Sequence, residues 1–176
     1  LIDTLSSLKY NIKKIFSPEH GFRGLKERGK SIKDDTLIIN ETKIPIISMY
    51  GKNRIPSNEN MEGIDVVIFD IQDVGVRFYT YISAMHNMME ICAKLGIDFI
   101  VFDRPNPNGN YIDGPVLDMK YQSYVGMHEI PIVHGCTVGE LAKMIKGENC
   151  KFEDSGLSKR EWNELMESFG FKESLV

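Results

Sequence analysis

A chain of 176 residues, 42% apolar and 26% charged, has the length and composition of one globular domain with a continuous core. Twenty-one basic against 25 acidic residues leave a formal net charge of −4, so there is no electrostatic basis for a nucleic-acid or anionic-membrane partner. Three cysteines exclude a disulfide scaffold, and no apolar run approaches the roughly 20 residues that span a bilayer.

Leu1 to Leu8 (LIDTLSSL) reads as the last turns of an amphipathic helix, so the chain is expected to be a fragment or a processed product, and its start carries no compartment signal. Ile12 to Phe16 is short, β-branched and aromatic, a strand that Ser17-Pro18 ends. Ile44 to Tyr50 is a second strand, followed by Gly51. Asp65 to Ile71 (DVVIFDI) is nearly unbroken apolar sequence, which predicts a central parallel strand covered on both faces. Tyr79 to Leu95 places Ile82, Met85, Met89 and Cys92 at helical spacing, with Gly96 as its stop. Asp98 to Phe102 is the next buried strand and Ile130 to Val133 a further one. Thr137-Val138-Gly139-Glu140 has capping-box spacing and opens a helix. After Lys146 the sequence changes character, and Ser158 to Phe169 reads as a charged helix with Trp162, Leu165, Met166 and Phe169 on one face.

Alternating strands and helices predict an α/β fold, an open and mostly parallel sheet with helices on both faces. Such sheets bind ligands outside the carboxyl ends of their strands. Polar clusters sit at those ends: Pro18-Glu19-His20-Gly21, Tyr50-Gly51, Gln72-Asp73 and Asp103-Arg104-Pro105-Asn106. Four strands delivering polar residues to one edge make a site.

The usual cofactor signatures are missing. No G-x-G-x-x-G follows a strand, no G-x-x-x-x-G-K-[ST] occurs, and there is no G-x-S-x-G elbow. His20, His86, His128 and His134 never pair at i, i+4, so neither a metal nor a cofactor is expected. Carboxylate chemistry leads. Glu19 follows a proline at a strand end and precedes His20-Gly21, which lets a ligand approach closely; as a bland alternative it is a loop residue capping a turn. Tyr50 ends its strand beside Gly51, facing the same cleft or resting as a half-buried aromatic. Asp70, Gln72 and Asp73 orient a polyol or hold Arg77 in an ion pair. Arg77 with Phe78, Tyr79 and Tyr81 suits sugar stacking and equally the packing of a helix start. The prolines around Asn106 stiffen a loop that presents Asp103, Arg104 and Asn106, and His134-Gly135 repeats the pattern of His20-Gly21.

Taken together, the segments FSPEHGFRG (Phe16 to Gly24), Ser48-Met49-Tyr50-Gly51, DVVIFDIQDVGVRFYTYIS (Asp65 to Ser83), DRPN (Asp103 to Asn106), GPVLD (Gly114 to Asp118) and HGCTVGELA (His134 to Ala142) resemble the exo-β-N-acetylmuramidase family of peptidoglycan hydrolases. The likeness runs in order from Leu1 to about Ile145, with Cys136 where the family usually has Met. It implies a Rossmann-like catalytic domain over residues 1–146, with a divergent helical tail over 147–176. The family's first strand would precede Leu1, and its C-terminal auxiliary domain has no counterpart after Lys146. The implied activity removes terminal N-acetylmuramic acid from the non-reducing ends of peptidoglycan fragments, in the cell envelope or outside the cell. The implied catalytic pair is Glu19, as acid/base, and Tyr50; His20, Arg23, Asp70, Gln72, Asp73, Arg77, Tyr79, Asp103, Arg104, Asn106 and His134 line the pocket. Two readings compete with it: a non-catalytic relative that binds cell-wall sugars, and a nucleotide-binding α/β module, which the missing glycine fingerprint disfavours.

Overall fold

The computed structural model describes residues 1–19, 21–22 and 35–147. Two compact units emerge. One holds residues 1–70 and 87–100, the other residues 71–86 and those from 101 onward. The elements are α1 (Ile2–Ser7), β1 (Ile15–Ser17), β2 (Asp35–Ile39), β3 (Thr42–Ser48), α2 (Asn58–Met61), β4 (Val66–Phe69), α3 (Tyr81–Leu95), β5 (Asp98–Val101) and α4 (Val138–Gly147), an α/β arrangement.

In the first unit β3 lies between two partners. It pairs in parallel with β1, Ile15 opposite Ile46, Phe16 opposite Ile47 and Ser17 opposite Ser48. It also pairs antiparallel with β2, from Asp35 opposite Ile46 to Ile39 opposite Thr42. Ile44, Ile46 and Ser48 are buried while Lys43 and Pro45 are exposed, the period-two pattern of a strand with one covered face. Pro45 is tolerated in this middle strand because the β1 ladder begins only at Ile46, one residue beyond it. The β2–β3 hairpin turns on Asn40 and Glu41, both left-handed at φ 46° and 67°. Two successive positive φ values match the twist of antiparallel strands, which explains why so short a connection works. β2, whose Thr36, Ile38 and Ile39 are β-branched, is a strand not among those predicted from the sequence.

The second ladder pairs β4 with β5, and α3 connects the two in a β–α–β order. Asp98 N donates to Asp65 O at 3.3 Å, and the rings of Phe69 and Phe99 meet at a 39° tilt with centroids 6.5 Å apart. Here the structure corrects an expectation. β4 is not covered on both faces: Val66 is exposed, Val67 and Ile68 are half-buried, and only Phe69 is buried. Among the described residues β5 is its only strand neighbour, so β4 lacks the flanking strands that would make it central.

Helix α3 follows its predicted spacing. Ile82, Met85 and Cys92 are fully buried, and Ile91 and Met88 join them, whereas Met89 is only half-buried. The buried arc is therefore wider than a single stripe. In the second unit α4 buries Val138, Leu141, Ala142 and Ile145. Its start is the predicted capping box: Thr137 N donates to Glu140 Oε2 at 2.8 Å and Glu140 N to Thr137 Oγ1 at 3.1 Å. Ile130 to Val133 is not a strand. Only Val133 forms bridges, to Val76 and Asp113, because Pro131 removes a ladder donor inside the run.

Replacing Glu41 with Gly removes a left-handed non-glycine residue from the β2–β3 turn. The variant should gain about 1 kcal/mol in urea unfolding, the usual cost of that conformation for a residue with a Cβ.

Candidate active site

Two of the predicted residues leave the ends of one parallel pair. Ser17 and Ser48 are the last residues of β1 and β3 and lie opposite each other. Counting two further residues along each strand reaches Glu19 and Tyr50. The pairing is carried past the strands by Met49 N, which donates to Ser17 O at 2.8 Å. Glu19 and Tyr50 thus each follow by two residues the paired carboxyl ends of β1 and β3. Both are half-buried. A turn or a left-handed glycine follows each strand end. Gly21 N donates to Pro18 O in a turn that encloses Glu19, and Gly21 takes a φ of 74°. Tyr50 N donates to Ser48 Oγ at 3.3 Å, and Gly51 follows at φ 71°. Asp70, also half-buried, is the residue immediately after β4. His20 and Arg23 lie outside the described residues, as does the predicted helix from Ser158 to Phe169.

The second unit brings together Gln72, Asp73, Arg77, Asp103, Asn106 and His134. It does so by tying three loops to one another. Residues 75–77 run antiparallel to 132–134: Arg77 N donates to Ile132 O at 2.8 Å, His134 N donates to Gly75 O at 3.2 Å, and Val76 bridges Val133. Asn106 Nδ2 donates to Cys136 O at 2.8 Å, and Asn108 Nδ2 donates to Val74 O at the same distance. Gln72 Nε2 donates to Asp73 O and Pro105 O, at 2.7 and 3.3 Å. Gly75 is needed at this crossing, because a Cβ there would stand 2.2 Å from Asn106 Oδ1 and its φ is 75°.

Most of these side chains are engaged in building the site. Asp103 accepts from Thr137 Oγ1 at 2.7 Å and from the backbone N–H of Gly139 at 2.8 Å, so its carboxylate sits on the start of α4. Gly139 allows that approach, since a Cβ would fall 2.6 Å from the Asp103 carboxyl carbon. Arg77 donates through Nη1 to Ile130 O at 2.5 Å and to Pro115 O at 2.9 Å, and burial lowers its pKa. Asp73 is buried; its Oδ2 accepts from Gly75 N at 2.8 Å and stands 3.5 Å from His134 Nε2, on a fully buried ring. The carboxylate of Asp73 thus faces His134, and Arg77 is held by carbonyls. Tyr79 is half-buried and meets Tyr81 edge to face at 4.7 Å, while Arg104 is half-buried beside Asp103.

Two histidines that no motif singled out complete this cluster. His86 Nδ1 lies 2.8 Å from His128 Nε2, with the rings stacked 5.0 Å apart. Burial pushes the His128 pKa down to about 4, and the nearby His86 and His134 rings push it the same way. No sequence signal pointed to the pair; Ser83 and His86, three apart on α3, both reach the loop that follows Met119–Tyr121, Ser83 Oγ donating to Tyr124 O at 2.7 Å. Neither described cysteine is a candidate nucleophile, because burial raises Cys92 to about 11 and Cys136 to about 12. Among the described residues no group of His, Cys, Asp and Glu could hold a metal ion.

With this geometry in place, comparison with known proteins identifies the lineage. A family model described as the N-terminal part of exo-β-N-acetylmuramidase NamZ matches residues 1–172. The chain belongs to the NamZ family. Over 135 residues it is 47% identical to the peptidoglycan β-N-acetylmuramidase NamZ of Bacillus subtilis strain 168, covering 76% of this chain and 32% of that protein. Two crystal structures of DUF1343 family proteins from Bacteroides fragilis NCTC 9343 share the fold. One is 47% identical with a TM-score of 0.70, the other 40% identical with 0.73, and each match covers 86% of this chain and 38% of the other. This NamZ-family chain therefore spans about a third of the length of these relatives. The family match also continues beyond Ile145, where the motif resemblance ends.

Two outcomes follow from the loop crossing and the buried ring. Gly75→Ala should cost more than about 2 kcal/mol in denaturant unfolding, because it adds strain at a positive φ and displaces Asn106. His128, depressed in the folded state, is protonated first in the unfolded chain. Its contribution is complete above the ordinary histidine pKa of about 6.5 and is lost as pH falls toward 4, up to about 3 kcal/mol. Urea unfolding across that window should show the decline, and His128→Gln should flatten it.

Proposed function

We propose that this chain carries the acid and the phenol of an exo-acting β-N-acetylmuramidase, a glycosidase that releases N-acetylmuramic acid from the non-reducing ends of peptidoglycan fragments. The observation that carries the reading is the matched departure of Glu19 and Tyr50 from hydrogen-bonded parallel strands. The 47% identity to a peptidoglycan β-N-acetylmuramidase supports the substrate class.

Glycosidic cleavage passes through an oxocarbenium-like state, which needs a proton at the leaving oxygen and an electron-rich group at the anomeric carbon. Glu19 donates that proton as the C1–O bond breaks, and recovers it from the water that completes hydrolysis. Tyr50 faces the anomeric carbon, as the nucleophile or as the group that orients water or the 2-acetamido oxygen. The lactyl carboxylate of muramic acid distinguishes it from glucosamine, and a guanidinium recognises it through paired hydrogen bonds. Arg23, Arg77 and Arg104 are the candidates. Arg77 is the best prepared among the described ones, since the two carbonyls on its Nη1 fix the plane of its fork.

Release of N-acetylmuramic acid from a chromogenic muramide by the chain tests the reading. Glu19→Gln should lower kcat by about 10²- to 10⁴-fold while sugar binding persists. In Tyr50→Phe, a comparable loss marks a covalent role and a loss of about tenfold marks an orienting one. Sugar binding by the wild-type chain without any release of free N-acetylmuramic acid would establish the non-catalytic cell-wall-binding reading instead.

A further inference from the structure

The histidine pair on α3 raises a question that the proposed chemistry leaves open. His128 is 3% exposed, its Nε2 is bonded to His86, and its Nδ1 has no hydrogen-bond partner among the described residues. A ring buried this deeply with one unpaired nitrogen is costlier than an apolar side chain of similar size. An N–H···N bond needs a single proton between the rings, and the depressed pKa of His128 keeps its ring neutral for that purpose. An unpaired lone pair costs less than an unpaired N–H, so the proton belongs on Nε2, which donates to His86 Nδ1.

What the pair holds is the start of a short, heavily bonded segment. Ile130 O accepts from both Leu117 N and Arg77 Nη1, Ile132 O accepts from Arg77 N, and Val133 exchanges backbone bonds with Asp113. His134 closes the segment with its backbone on Gly75 and its ring on Asp73. Three of the bonds that place Arg77 and His134 therefore run through residues 130–134, those at Ile130 O, Ile132 O and His134 N, while Pro115 O holds Arg77 Nη1 from outside the segment. The upstream end of that segment is tied to α3 at two successive sites, Ser83 on Tyr124 and His86 on His128.

We propose that His128, through its bond to His86, is a positioning residue: it pins the segment 130–134 to α3 and thereby sets where Arg77 and His134 stand for the muramic acid ligand. The proposal rests on the hydrolase reading for its ligand, but its structural part is tested without turnover. Gln at position 128 keeps a donor near the place of Nε2, whereas Leu fills the space without one.

In the 15N-labelled chain at pH 7.5, His128→Leu should move the His134 ring and Arg77 Nε–Hε resonances, and His128→Gln should return both close to wild type. With the chromogenic muramide, His128→Leu should raise KM about tenfold while kcat stays within about threefold, and Gln should restore KM. Far-UV circular dichroism confirms that each variant is folded. Should the Leu variant fail to fold, His86→Ala breaks the same bond from the half-buried partner and should cause the same resonance shifts. Unchanged His134 and Arg77 resonances in whichever of these variants is folded would overturn the proposal, as would a Gln variant no closer to wild type than Leu. Lack of turnover by the wild-type chain would count against the hydrolase reading alone, leaving the resonances to decide the positioning role.

Discussion

The parallel register of β1 on β3 is the constraint from which the candidate chemistry follows. With Ser17 opposite Ser48, Glu19 and Tyr50 each come two residues after a paired position. A slip of one residue would displace one of them by about 3.3 Å and turn its side chain to the other face. Register is protected on both sides of β3. The buried Ile44, Ile46 and Ser48 commit one face inward, and the tight β2–β3 hairpin fixes the strand from its start. In the proposed chemistry, Glu19 and Tyr50 would take their placement from backbone pairing two residues away.

The second unit reaches order by a different route. Its three loops contain little regular structure, yet side-chain bonds join them at short intervals, with Asn106, Asn108, Gln72 and Asp103 each bridging to backbone of another segment. Amide and carboxylate side chains substitute for a ladder here, satisfying backbone groups that a buried loop would otherwise leave unpaired. Several residues that invite a ligand-binding interpretation in the sequence are in this way structural members of the loops. Arg77 belongs to both groups, since it supports residues 130 and 132 and still presents a cation.

Much of this was legible in the chain itself, and the exceptions have physical causes. Pro18 and Gly51 mark the strand ends beside Glu19 and Tyr50, and Thr137 to Glu140 spells out its own cap, because in each case the signal is local. The β2–β3 hairpin was hidden: its turn is Asn-Glu, and the second left-handed position usually announces itself with glycine. Apolar content misled at β4, since a run of Val, Val, Ile and Phe reports hydrophobicity but not how many neighbours cover it. Ile130 to Val133 looked like a strand for the same reason, with Pro131 as the contrary sign. His86 and His128, 42 positions apart, meet only through the fold, and no spacing rule joins them.

The acidic collar around the first turn of α4 bears on whether that turn can hold an anion. A helix start is ordinarily an attractive berth for a negative group, through its exposed amides and the positive end of its dipole. Here Asp103 and Glu140 already take up those amides. An anion arriving there would meet two carboxylates and find the amides of Thr137, Gly139 and Glu140 already engaged. Under the proposed function, discrimination in favour of an acidic saccharide falls to cationic side chains and not to this helix start.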